Sequence, residues 1–240
     1  DTAQYLINTA AGSVKSLAYH VDTLTSIEGV IGSALNDYIV LGADASIVDA
    51  GAGADVVFSG TAVDNISGGA GDDVINIGSA SDHAAGETIT GGDGADTIRF
   101  NSVLGETLVL SANVTGVETA QIVVANTTTA ANTQTTNESI DASALTAGIA
   151  LVGNDGNNIL TGSAFADTFA AGAGNDRLIV DDADTRVDGG AGADVMVVAA
   201  NATFTAAQLL NVETAALASG VELTVDHTDV LGANNLATVT

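Results

Sequence analysis

Five stretches of this chain carry the order Gly-x-Gly-x-Asp: Gly51-Ala52-Gly53-Ala54-Asp55, Gly69-Ala70-Gly71-Asp72-Asp73, Gly92-Asp93-Gly94-Ala95-Asp96, Gly172-Ala173-Gly174-Asn175-Asp176 and Gly190-Ala191-Gly192-Ala193-Asp194. In each, a carboxylate follows two glycines, the residue that accepts the positive dihedrals of a tight turn. Asp55 and Asp73 are 18 residues apart, as are Asp176 and Asp194, and Asp96 follows Asp73 by 18 plus a five-residue insertion, Ile77 to Ser81. A fixed interval stacks the carboxylates, and stacked like charges repel unless a cation lies between them. Calcium takes about six to eight oxygen ligands at flexible geometry, and a glycine-rich turn can aim backbone carbonyls at an ion while its Asp adds the charge. Gly and Asp are also ordinary turn residues, so the competing reading is a set of metal-free corners. Five copies in phase argue against it, since such corners gain nothing from a column of carboxylates.

The elements that must hold these turns follow from counting in nines. Blocks open at 32, 41, 50, 59 and 68, then after the insertion at 82 and 91, and a second gapless set opens at 153, 162, 171, 180 and 189. The eighth positions are Ile39, Val48, Val57, Ile66, Ile75, Ile89, Ile98, Leu160, Phe169, Leu178, Val187 and Met196, every one large and apolar. A nine-residue unit of this kind holds one turn and one short strand, so two units complete a coil and alternate turns fall on opposite edges of a flattened roll. Same-edge neighbours are then 18 apart, which puts the intact turns of each set on one edge. The other edge carries degraded versions at Ser46, Asp64, Asp167 and Thr185. The predicted fold is all-β, a parallel β-roll or β-solenoid in two rolls. Its parts are lead-in strands over 1–31, a first roll over 32–99, a spacer over 100–152, a second roll over 153–197 and a second spacer over 198–240. Tyr5-Leu6-Ile7 and Val21 to Ile31 are expected as short strands around a polar turn at Ala11-Gly12-Ser13, and Ala125 to Asn137 as an exposed, mobile polar loop. The spacers resemble each other: Val114-Thr115-Gly116-Val117-Glu118-Thr119-Ala120 matches Leu210-Asn211-Val212-Glu213-Thr214-Ala215, and Glu28 belongs to the same series.

Gly68-Gly69-Ala70-Gly71-Asp72-Asp73-Val74-Ile75-Asn76 matches Gly-Gly-x-Gly-x-Asp-x-apolar-x, the known calcium-binding nonapeptide of RTX proteins. The run Asp22-Thr23-Leu24-Thr25-Ser26-Ile27-Glu28-Gly29-Val30-Ile31-Gly32-Ser33-Ala34-Leu35-Asn36-Asp37 resembles the lead-in segment of RTX β-rolls, which belong to secreted or surface proteins of Gram-negative bacteria. The resemblance implies that carbonyls and carboxylates of stacked turns hold several Ca2+ ions, and that the chain leaves the cell unfolded through a type I secretion channel. Combined with the edge count, the ions are expected between turns paired as Asp37 with Asp55, Asp55 with Asp73, Asp73 with Asp96, and Asp176 with Asp194. Asn158 with Asp176 has one charge fewer, and Asp64 and Asp167 are further candidates on the degraded edge. Gly51, Gly53, Gly69, Gly71, Gly92, Gly94, Gly172, Gly174, Gly190 and Gly192 shape the turns and belong to the expected metal sites through their backbone carbonyls.

Composition agrees with that picture. Thirty acidic residues against four basic ones rule against nucleic acid and anionic membrane as partners and call for cations. A chain 46% hydrophobic with 3% aromatic residues is no acidic disordered tail, and suits a thin core of aliphatic side chains. Without cysteine there is neither disulfide nor zinc thiolate, so metal ions are the available staples. No apolar run approaches a membrane span, so no membrane insertion is expected, and no signal peptide heads the chain. Its start at Asp1 suggests a segment of something longer. No HExxH, GxSxG or P-loop appears, and His20, His83 and His227 are expected at the surface, so no enzyme activity is expected. Two function classes remain. One is a calcium-stiffened structural segment of a surface-layer protein or RTX adhesin, self-associating into an array or joining tandem units. The other is the folding and secretion module of an RTX enzyme or toxin.

Overall fold

The computed structural model describes residues 5–8, 13–16, 21–23, 29–102, 104–123, 135–226 and 238–239. It divides into two compact units, one of residues 1–101 with 111–119, the other of residues 102–110 with 120–240. The spacer placed at 100–152 by sequence is therefore shared, its 111–119 stretch belonging to the first unit and its 102–110 stretch to the second.

The first unit is a parallel β-roll with two sheets. One sheet runs through Tyr38–Val40, Val56–Phe58, Val74–Ile77 and Thr97–Phe100. The other runs through Gly29–Ile31, Ile47–Asp49, Asn65–Ala70, Thr88–Asp93 and Val114–Thr115. The pairing Ile39 to Val57 to Ile75 and Val48 to Ile66 is the 18-residue register, and Ile75 to Ile98 and Ile66 to Ile89 is the register widened by the insertion. The insertion leaves both sheets in phase because it lies in a corner, where Ala80–Asp82 forms a short 3-10 turn. The lead-in differs from the rest. Tyr5–Asn8 adds in parallel beside Tyr38–Val40, while Ser13–Ser16 and Val21–Thr23 continue the sheet antiparallel.

The second unit repeats the design. Ala150–Val152, Thr168–Ala170, Arg186–Asp188 and Leu209–Leu210 make one parallel sheet. Facing it in the coil are Thr107–Val109, Ser139–Asp141, Ile159–Thr161, Arg177–Val180, Val195–Val198, Thr214–Leu217 and Thr238–Val239. Ala202–Thr205 pairs separately with Leu223–Asp226.

All twelve eighth-position side chains are buried, none more than 2% exposed. A three-residue strand alternates faces, so its middle residue points inward while its neighbours face out, as the exposed-buried-exposed pattern of Ile47–Asp49 illustrates. Each such side chain contributes roughly 1.5–3 kcal/mol on burial. The expectation for Ala125 to Asn137 concerns residues that, up to 134, lie outside the described set.

Candidate metal centre

Every intact turn has both glycines at positive φ, between 91° and 152°. At Gly69 (φ 108°) and Gly71 (φ 128°) the reason is twofold. Most L side chains avoid this region, and an added Cβ would overlap the carbonyl oxygens of Gly51 and Gly53 in the turn below. Carbonyls thus stack along the edge at the spacing of the strands. The carboxylates stack with them: the Asp37 N–H donates to Asp55 Oδ1 (2.7 Å), Asp55 to Asp73 (2.8 Å) and Asp73 to Asp96 (2.8 Å). In the second unit Asn158 donates to Asp176 Oδ1 (2.7 Å) and Asp176 to Asp194 (2.8 Å). Residues that sequence spaces 18 or 23 apart are thus in contact, backbone N–H to carboxylate.

One oxygen of each intact-turn carboxylate is therefore engaged, and the other is not. Oδ2 of Asp55, Asp73, Asp96, Asp176 and Asp194 is buried with no hydrogen-bond partner. Among the described residues no other Asp has an oxygen in that state. A buried carboxylate oxygen without a partner is costly unless a cation or proton serves it. Burial, with neighbouring carboxylates adding, pushes the carboxyl pKa of Asp55 up to about 7, that of Asp73 to about 6 and that of Asp176 to about 7. Burial also raises Asp96, with Glu118 adding to it, and Asp194, with Glu213 adding.

Among the described residues no three Asp, Glu or His side chains converge as a ready-made metal cluster. A cation in these columns must take most of its oxygens from the backbone. The stacked glycine turns provide for that, and the orphaned Oδ2 atoms supply the charge, so the residues fit calcium. Its binding would neutralise the column and tie successive turns together.

The other predicted ligands are placed differently. Asp37 heads the first column, but its Oδ2 accepts the Ser33 N–H at 2.6 Å. Asp64 accepts from Ser46 and Gly60, and Asp167 from Ile149 and Ser163, so both oxygens of each are used. The side chain of Asn158 is fully engaged: its Oδ1 accepts the Asn154 N–H, and its amide donates to Asn154 Oδ1 and to the Glu138 carbonyl of the neighbouring coil. The opposite edge also holds two carboxylates that counting overlooked. Asp184, not Thr185, continues the column above Asp167, accepting its N–H at 3.1 Å, because the turn at Asp181 is one residue short. Burial raises its pKa to about 7. Glu87 is fully buried at the sixth position of its block and lies 3.5 Å from His83 Nδ1. His83, expected at the surface, has a side chain only 3% exposed, since it follows the inserted 3-10 turn and faces Glu87. The acidic sixth position was readable at Glu87; the shortened turn at Asp184 carried no sequence signal.

A family model of the RTX calcium-binding nonapeptide repeat (four copies) matches residues 31–64, 63–84, 83–99 and 152–185. The two nonapeptide arrays are RTX repeats. In RTX terms the match takes in four of the five intact turns, and the fifth, Gly190 to Asp194, continues the second array in the same geometry. No curated protein matched the chain. No described helix is long and apolar enough to cross a membrane.

Proposed function

We propose that this RTX chain is a non-catalytic structural segment of a secreted bacterial surface protein, a surface-layer subunit or an adhesin, that folds and stiffens on binding Ca2+ outside the cell. The observation that carries the calcium part is the set of five buried, partnerless Asp oxygens, one at each intact turn. With that charge uncompensated the glycine-rich chain has little to offset its ordering entropy, so folding follows the ion. Extracellular calcium modules bind with dissociation constants of about 10⁻⁴ to 10⁻³ M, which keeps such a chain loose in the cytosol and suits export through a type I system. Two nonapeptide arrays whose sheets are continued by strands of the spacer segments support a scaffold that is extended by repetition. Circular dichroism with millimolar calcium against chelator tests the folding claim; an unchanged spectrum would overturn it. Electron microscopy of the calcium-loaded chain tests the assembly claim. Sheets or filaments that dissolve in chelator support the surface role, and dispersed particles favour the folding and secretion module of a secreted enzyme or toxin.

A further inference from the structure

On the edge of the intact turns, the carboxylate column of each roll ends on a Glu. The Asp96 N–H donates to Glu118 Oε2 and the Asp194 N–H to Glu213 Oε2, both at 2.7 Å, the bond that an Asp of the next turn accepts elsewhere. The two ends are built alike. Val117 and Val212 are buried before the Glu, Ala120 and Ala215 are buried after it, and Thr119 and Thr214 both donate to the carbonyl of the last Asp at 3.1 Å. Two residues before each Glu stands a left-handed residue, Gly116 at φ 59° and Asn211 at φ 51°, the latter the one non-glycine with positive φ among the described residues.

That left-handed residue occupies a defined place. Inside the column, Asp73 Oδ2 and the Gly91 carbonyl oxygen crowd the same side of Gly68. At the ends, Asp96 Oδ2 and the Gly116 carbonyl crowd Gly91, and Asp194 Oδ2 and the Asn211 carbonyl crowd Gly189. Gly116 and Asn211 thus present the carbonyl that a further repeat would present. In a full repeat the carboxylate comes five residues later, as in Gly91 to Asp96; here it comes two residues later, and the extra methylene of Glu makes up the reach. The oxygen facing this place from below, Oδ2 of Asp96 or Asp194, is fully buried and partnerless.

We propose that Glu118 and Glu213 are cation ligands that close each column with one more calcium site. The first is made by Asp96 Oδ2, the Gly116 carbonyl and Glu118, the second by Asp194 Oδ2, the Asn211 carbonyl and Glu213. The proposal rests on the calcium reading above and adds two ions to those held between full repeats. It also gives the matching spacer segments a task, since a shortened turn ends the column without leaving its last carboxylate uncompensated.

The test is the calcium count of the full chain, by equilibrium dialysis and elemental analysis, for the wild type, Glu118→Gln, Glu213→Gln and the double variant. Gln keeps a carbonyl to accept the Asp N–H but lacks the charge. The expected result is one ion fewer in each single variant and two fewer in the double, with the calcium-dependent β-signal retained. An unchanged count in the double variant overturns the proposal while leaving the calcium reading intact; a wild type that binds no calcium overturns both. Should the variants fail to fold, anomalous diffraction from terbium-loaded wild-type crystals decides. Peaks beside Glu118 and Glu213 support the proposal, and peaks confined to the gaps between full repeats overturn it.

Discussion

The intact and the degraded turns of each roll are made from the same nine-residue unit and reach opposite solutions for a buried aspartate. At the intact turn, Asp73 spends one oxygen on the N–H of the turn below and leaves the other buried and bare. On the opposite edge, Asp64 and Asp167 accept a second N–H from Gly60 and Ser163, four residues back, and complete themselves. The losses of glycine are part of that closure. Where the fourth position is Ala62 or Phe165, the chain takes an ordinary turn. The Asp alone does not set the state of its second oxygen; the turn before it leaves that oxygen bare at Asp73 and satisfied at Asp64 and Asp167.

The sharpest way to break this comparison is to remove the ion. Chelation is expected to abolish most of the β-signal in circular dichroism, since three uncompensated carboxylates remain on the intact edge of the first roll and two on that of the second; retention of the fold would mean that the two edges are alike. Next in size is Gly71→Ala. At φ 128° with the Gly53 carbonyl against it, the added methyl should cost at least about 2–3 kcal/mol, read as a lower melting temperature in saturating calcium. Asp73→Asn should then weaken calcium binding about tenfold or more and lower the ion count, measured by titration calorimetry. Asp64→Asn is its counterpart: the count is expected to stay, while the lost acceptor costs about 1–3 kcal/mol in a denaturant melt.

The pH response separates charge from shape. Burial holds Asp55, Asp176 and Asp184 at about 7 in the metal-free fold, above the ordinary value of 3.8. The folded state therefore binds more protons than the unfolded one between about pH 4 and 7. Its relative stability is greatest below the ordinary carboxylate value and is lost as pH rises through 7. In chelator, acidification from pH 7.5 to 5 is expected to restore part of the β-signal. With calcium present, the same acidification should raise the calcium concentration needed to fold, because protons compete for the same oxygens.

Much of this molecule was legible in its sequence. The eighth-position apolar residues fixed the strands, and the 18-residue interval fixed which turns stack, including the shift of 23 at the insertion. Both are consequences of period alone: a coil of two nonapeptides has no other way to bury Ile39, Val57 and Ile75 together. Sequence also paired Glu118 with Glu213, without a reason for them. What it left undecided was the state of each oxygen. Asp64 and Asp73 hold the same position in the repeat, and only the path of the backbone four residues earlier shows one satisfied and the other bare. Nor could counting find Asp184, whose place depends on a turn shortened by one residue, or the burial of His83 beneath the insertion. Hydrophobic period is set by local spacing and reads along the chain, whereas hydrogen-bond satisfaction depends on which N–H a three-dimensional turn brings within reach, and that was decided by the fold.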